Sequence, residues 1–459
     1  MRWFLIPALL FAAACTNGPL TELPSRADPL PTTLPPVKTF SAATGPVTLA
    51  RANADIARDF LELSFEMESG RKIEHLSRFE GPVTLALAQQ GPALFQRDLA
   101  DLLTRFRNEA GIDIRQIETG SEANIVVATL PQRKLQRTVP HAACFVVPRV
   151  RNWDEFRKNR RSGALDWTTL AKRERVTVFI PEDVSPQEAR DCLHEEIAQA
   201  LGPLNDIYRL PDSVYNDDNL NTILSPFDML ILKVHYSKSL KTGMTREAVA
   251  AALPAILDRV NPAGRGLASD KLQKSPRQWI DAVGAALGPR STQSRRLASA
   301  QKSVAMAEEA GWHDNRLGFG LFAQGRLALG IEPDIASESF ARAYSVYTEA
   351  FGKDDIHTAH VALQLAAFAL STGDTGTALE LVNSSLSAAN RAQNASLLAT
   401  LLLIKAEALD AEGRHAAAAA VRLDALGWAR YGFASEREIR ARLREIGSLR
   451  PRSVKPVVG

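Results

Sequence analysis

The sequence predicts an α+β domain followed by an all-α helical solenoid. Three observations carry this expectation. Between residues 83 and 201, short runs of alternating apolar residues are interleaved with stretches whose apolar residues recur at i, i+3 and i+4. These are the periods of half-buried strands and of amphipathic helices. From about Gln293 the chain turns Ala-rich and helical throughout. Gly330, Gly373 and Gly413 each end one helical stretch and precede another, 43 and 40 residues apart, a period that signals stacked helix–turn–helix units.

Taken from the start, residues 1–15 read as a signal peptide. Arg2 gives a positive start, Phe4–Ala13 an apolar core too short to span a bilayer, and Ala12-Ala13-Ala14-Cys15 a small-residue cleavage site ending in cysteine. Lipidation of Cys15 is expected, the alternative being an ordinary signal with a chance cysteine. Acyl chains contribute roughly 0.8 kcal/mol per buried CH₂ and would hold the chain at a membrane. Thr16 in place of Asp favours the outer membrane, by its likeness to enterobacterial sorting signals. Residues 16–48 carry seven prolines between Gly18 and Pro46 and read as an extended tether.

Residues 49–244 form the expected α+β domain. Its strands are Val83–Ala88, Ile112–Glu118, Asn124–Ala128 and Arg175–Ile180, with a further strand-like run beginning at Cys144. A helix covers about Leu94–Ala110, and another follows Pro186. Residues 245–292 read as a helical connector, with a helix from Thr245 to about Val260 and a breaker at Asn261-Pro262-Ala263-Gly264. The repeats occupy residues 293–435, as the pairs Gly318–Leu329 with Pro333–Phe351, His357–Ser371 with Thr375–Gln393, and Ala395–Glu412 with Arg414–Tyr431. A plain helical bundle is the alternative. Residues 436–459 read as a basic, solvated tail.

The net charge is only +3, which gives no support to binding a polyanion, and no nucleic-acid partner is expected. With Cys15 lipidated, Cys144 and Cys192 remain as a pair in an oxidising compartment, where a disulfide is expected over two buried free thiols. The sequence carries no GxGxxG, GxxxxGK[ST] or GxSxG motif.

One stretch carries the chemistry. Glu195-Glu196-Ile197-Ala198-Gln199-Ala200-Leu201-Gly202-Pro203-Leu204-Asn205 has the spacing of the zinc-protease helix HExxHxxGxxH and so resembles the metzincins. Glu195, Gln199 and Asn205 stand at the three histidine positions, Glu196 at the general base and Gly202 at the turn. The resemblance extends to Ser213-Val214-Tyr215-Asn216, where Tyr215 takes the place of the Met-turn methionine. It also includes Leu224-Ser225-Pro226-Phe227-Asp228-Met229, which is similar to the closing helix of matrixins and serralysins. It implies a metzincin-like (zincin-type) domain. Zinc prefers nitrogen and sulfur donors and leaves one position open for water in a catalytic site. One carboxylate with two neutral amides is a poor substitute. His194 and His235 flank the cleft but match no ligand spacing. Adjacent Glu195 and Glu196 in a partly buried cleft should raise at least one carboxyl pKa.

Two wider resemblances follow. Asp59-Phe60-Leu61, Glu68-Ser69-Gly70-Arg71, Arg78-Phe79-Glu80-Gly81-Pro82, Cys192, Glu195-Glu196…Gln199-Ala200-Leu201-Gly202…Asn205-Asp206 and Ser213…Asn216-Asp217 resemble domain-of-unknown-function family 2927 over roughly residues 50–245. This implies a secreted or lipid-anchored bacterial protein with a degenerate metallopeptidase-like domain and no assigned activity. Ala341…Ala350-Phe351-Gly352…His357-Thr358-Ala359 resembles the longer tetratricopeptide repeats of kinesin light chains, which implies a concave face for a protein or peptide partner. The expected function is that of a membrane-anchored, non-catalytic binding or scaffold lipoprotein in the cell envelope, facing the periplasm and without a cofactor. The alternative is an atypical metallopeptidase or hydrolase. It would use Glu196 as base, with zinc or another divalent cation on Glu195, Gln199, Asn205 and Asp206.

Overall fold

Five short runs, dominated by β-branched and aliphatic residues, pair into one sheet: β1 (Val83–Leu87), β2 (Ile114–Gln116), β3 (Ile125–Leu130), β4 (Phe145–Pro148) and β5 (Val176–Pro181). A computed structural model describes residues 33–41, 49–140, 142–270, 273–288 and 291–451. Cys15, the signal segment and most of the tether lie outside the described residues. The sheet order is β2-β1-β3-β5-β4. Neighbours are parallel except β4, which runs antiparallel to β5 at the edge. Parallel strands covered on both faces read as continuous apolar runs, and all six positions of β5 are buried.

Seven helices accompany the sheet: α1 (Asn53–Phe65), α2 (Ala93–Asn108), α3 (Gln132–Thr138), α4 (Trp153–Asn159), α5 (Pro186–Leu201), α6 (Pro226–His235) and α7 (Arg246–Val260). The strands and long helices match their expected positions to within a few residues. In α7, expected as the start of the connector, Val249, Leu253, Ile256 and Leu257 are buried in the core shared with the sheet. These residues make one helical stripe, which is covered against α1 and α6, so the α/β region runs past residue 244. Together the elements form an α/β region with a small mixed sheet.

The remaining helices are α8 (Arg277–Leu287), α9 (Gln293–Glu309), α10 (Asn315–Ala328), α11 (Pro333–Phe351), α12 (Ile356–Thr372), α13 (Thr375–Arg391), α14 (Ala395–Ala411), α15 (His415–Gly432) and α16 (Glu436–Gly447). They form an all-helical region of consecutively packed elements. Close approach rests on missing side chains. A Cβ on Gly318 would lie 2.4 Å from the Tyr347 ring, and one on Gly325 would lie 2.7 Å from Phe340. Two glycines seven residues apart on one face thus let α11 seat its aromatic rings directly on the α10 backbone. Trp279 of α8 is fully buried in this core, its ring centroid 5.6 Å from that of Trp312. The residues read as a basic tail are helical up to Gly447. Ile439 and Ile446 are buried there beneath exposed arginines, because an apolar stripe at i, i+7 needs a surface to cover it.

The end of the tether is not free. Lys38 donates its backbone N–H to Gly427 O at 3.0 Å, and Arg430 Nη1 donates to Pro35 O at 2.8 Å. Phe40 stacks on Trp428, with ring centroids 4.6 Å apart. From the α/β side, Arg97 Nη2 donates to Phe40 O at 2.8 Å. Residues 35–41 therefore form a strap between α15 and α2. Among the described residues, no helix is long and apolar enough to cross a membrane.

Candidate functional site

The motif helix α5 is fixed at both ends. At its start the Ser185 Oγ accepts the N–H of Glu188 at 3.0 Å, and Pro186 occupies the first turn, where its missing N–H leaves no bond unmade. At its end stands Arg173, buried, whose Nη1 donates to Gln199 O at 2.6 Å and Ala200 O at 2.8 Å. A third bond runs from Nη2 to Gly202 O. A guanidinium on three terminal carbonyls satisfies groups the helix cannot pair itself, and its charge opposes the helix dipole. Burial lowers the pKa of Arg173 to about 10, so it stays charged at neutral pH. Gly202 follows because His235 packs under this turn: a Cβ there would sit 3.1 Å from the imidazole.

The turn expected to carry the methionine analogue is also built from side chains. Asp228, in the first turn of α6, accepts the Ser225 N–H at 2.8 Å and the Val214 N–H at 3.1 Å, and also bonds the Ser213 hydroxyl. It thereby joins a capping box to the 213–215 turn. Tyr215 is fully buried there, and its carbonyl accepts the Ile207 N–H at 2.8 Å.

The three histidine-equivalent positions differ in what they do. Glu195 is half-buried, and Gln199, one turn on, is buried. Asn205 is turned to α1, where its Nδ2 donates to Glu62 O at 3.1 Å. Of the two nearby imidazoles, His235 keeps a buried Nδ1 with no hydrogen-bond partner among the described residues. His194 Nδ1 accepts the Leu224 N–H at 3.1 Å, and burial pushes its pKa well below the usual range. Burial, helped by Arg173 and Arg78, lowers His235 to about 3.

Carboxyls gather around Glu195. Burial, with the charges of Asp217 and Glu68, raises Glu195 to about 7. Burial and Glu195 push Glu196 well above the carboxylate range. Asp206 rises for the same first reason, with Glu68 and Asp217 adding to it. Asp217 is raised to about 6 by burial and Glu68, while its hydrogen-bonding neighbour Tyr208 lowers it. The charges bearing on Glu195 and Glu196 are other carboxylates, so the expected rise in at least one of the pair is found in both. Among the described residues, Glu196 Oε2 and Asp206 Oδ1 are buried without a hydrogen-bond partner. Glu68, Asp217 and Tyr208 lay within or beside the stretches that carried the family resemblance. No spacing rule pointed to them, because they approach the helix from separate loops.

The expected disulfide is present. Cys144 and Cys192 are bonded, with an S–S distance of 2.08 Å and Cα atoms 6.0 Å apart. It ties the residue before edge strand β4 to the motif helix. Cys144 Sγ and single carboxylate oxygens of Glu195 and Glu196 all lie within 4.8 Å of one another.

Fold and site together define a two-part protein: an α/β region whose motif helix carries a cluster of carboxyls, continued by a stack of helices. Residues 53–255, just under half of the chain, match the model of the family described as protein of unknown function DUF2927. The match supports the family resemblance of this region and ends inside α7, within the extended α/β core. No curated protein matches the chain.

Proposed function

We propose that the protein is a membrane-anchored envelope lipoprotein that acts as a non-catalytic binding or scaffold protein. It would combine a degenerate, metzincin-like domain with tetratricopeptide-like repeats. One observation carries the non-catalytic reading: the three histidine-equivalent positions hold Glu195, Gln199 and Asn205, and the Asn205 side chain is held on α1 by its Nδ2 donating to the Glu62 carbonyl. The donors at the motif positions are then one carboxylate and two amides, a set that does not fit zinc. Glu196 is also ill suited to act as a base at neutral pH, since burial favours its protonated form.

The metzincin-like reading is supported by the mixed sheet, the motif helix and the Asp228-held turn in one region. The repeat reading is supported by helix pairs that recur with the glycine period. The antiparallel edge strand β4 offers a place where an extended segment can add by main-chain pairing, and the repeats offer a second protein-binding face. Lipidation at Cys15 would place both in the envelope at the outer membrane. The test combines elemental analysis with peptide-cleavage assays on the oxidised protein. We expect no stoichiometric zinc and no cleavage; about one zinc per chain, with cleavage abolished by Glu196→Gln, would overturn the reading.

A further inference from the structure

The corner where β4 meets the motif helix holds more than a structural crosslink. Cys192, Glu195 and Glu196 occupy positions i, i+3 and i+4 of α5, which places all three on neighbouring parts of one helix face. Cys144 enters from the strand side. Its Sγ and one oxygen each of Glu195 and Glu196 fall within 4.8 Å of one another. The Cys192 sulfur is bonded to Cys144 and therefore shares the same corner. Glu196 is only 4% exposed, and its Oε2 has no hydrogen-bond partner among the described residues. A buried carboxylate oxygen without a donor needs either a proton or a cation.

We propose that reduction of the Cys144–Cys192 disulfide turns this corner into a closed zinc site, with two thiolates and carboxylate oxygens of Glu195 and Glu196 as ligands. In the oxidised protein the two sulfurs are bonded to each other and offer no thiolate. A dithiol reductant supplies the two electrons. Its thiolate attacks Cys144 Sγ, the more exposed of the two sulfur positions, and Cys192 leaves as a thiolate. The second thiol of the reductant then displaces Cys144 and departs with the first as a disulfide. Two protein thiols remain. On binding, Zn²⁺ replaces their protons, which pass to solvent. Two sulfurs and two carboxylate oxygens make a donor set zinc accepts, and four protein ligands leave no open position for water. The site is therefore structural rather than hydrolytic. It goes beyond the scaffold reading and uses none of the amides at the motif positions.

The test uses the full chain with Zn²⁺ and Co²⁺ as probes, oxidised and after reduction by a phosphine. Reduction should create one tight zinc site per chain. The cobalt form should then show thiolate-to-metal charge-transfer absorption. Glu195→Gln leaves the disulfide and the fold in place, and should weaken zinc binding by more than about tenfold, at least what loss of an outer-shell partner costs. Cys144→Ser should remove the sulfur band from the cobalt spectrum or weaken it. Equal zinc binding by oxidised and reduced protein, a cobalt spectrum without sulfur absorption, or unchanged affinity in Glu195→Gln would each overturn the proposal. Peptide cleavage by the oxidised protein would count against the non-catalytic reading instead, and the sulfur band would still decide this one.

Discussion

Gln187, in the first turn of the motif helix, donates its Nε2 to Asn394 Oδ1 at the start of α14, at 3.1 Å. Gln187 Oε1 returns the contact by accepting the Ser396 N–H at 2.9 Å. Arg190, one turn on, adds a bond from its Nη2 to Gln393 O at 2.9 Å. The motif helix is thus also bonded to the start of α14, which joins the α/β region to the helical stack. On the other flank, Tyr208 beside Asp217 packs edge-on against Trp279, with ring centroids 5.2 Å apart, and its carbonyl accepts from Asn315.

Gln187→Ala should destabilise the protein by about 1–2 kcal/mol, because Ser396 N–H loses its acceptor in a buried joint. Urea unfolding followed by both far-ultraviolet circular dichroism and tryptophan fluorescence should show the two signals begin to separate. An unchanged midpoint with coincident signals would show that the joint carries no coupling.

Replacing both Cys144 and Cys192 with Ser should cost up to about 4 kcal/mol by the loop-entropy relation for a separation of 48 residues. Hydrogen exchange should rise in β4 and α5. Because α5 grips the α13–α14 turn, exchange should also rise around Gln393–Ser396, beyond what nearest-neighbour repeats alone predict. Protection unchanged at that turn would refute the transmission.

Stability should fall at alkaline pH through His357. Its Nδ1 lies 2.8 Å from Asp355 Oδ1, and its Nε2 lies 3.7 Å from Asp218 Oδ2. Burial opposes its charge, but Asp218 and Asp355 outweigh that and hold its pKa at about 9. Tyr347 and His360 also face it, and burial with the charge of His357 keeps His360 down at about 3. A histidine whose pKa is raised on folding contributes fully below its unfolded value near 6.5 and loses that contribution as pH rises through about 9. His360 acts in the opposite sense, withdrawing stability as pH falls below about 6.5. The difference between wild type and His357→Gln in thermal midpoint should therefore shrink between pH 6.5 and 9. A constant difference would remove His357 as the cause.

Phe40→Ala should loosen the strap. Phe40 stacks on Trp428 and meets Tyr431 edge-on at 6.3 Å. Loss of the aromatic contacts and half-buried area should cost about 1–2 kcal/mol. Limited proteolysis within residues 35–41 should speed up accordingly. Unaltered cleavage would mean the strap is held by its backbone bonds to Gly427, Arg430 and Arg97.

By itself the sequence determined the periodic elements and the glycine-punctuated helix pairs, and it raised the expectation that Cys144 pairs with Cys192. The elements and the helix pairs are local, since a strand shows its period within six residues; the disulfide was expected over two free thiols, and the fold brings the two sulfurs together. Only the tertiary structure decided what the buried polar groups do. Arg173 lies 26 residues from Gln199, and nothing in the spacing reveals that it caps the motif helix. Asn205 reads equally as a ligand or as a clamp on α1 until α1 is in place. Glu68 and Asp217 reach Glu195 from separate loops, and His357 reaches Asp218 from the helical stack. Residues 35–41 read as free tether from proline content alone, yet Phe40 finds a tryptophan nearly four hundred residues away. Such contacts follow from where long-range packing leaves a charge or a ring without water, and no periodicity along the chain records that.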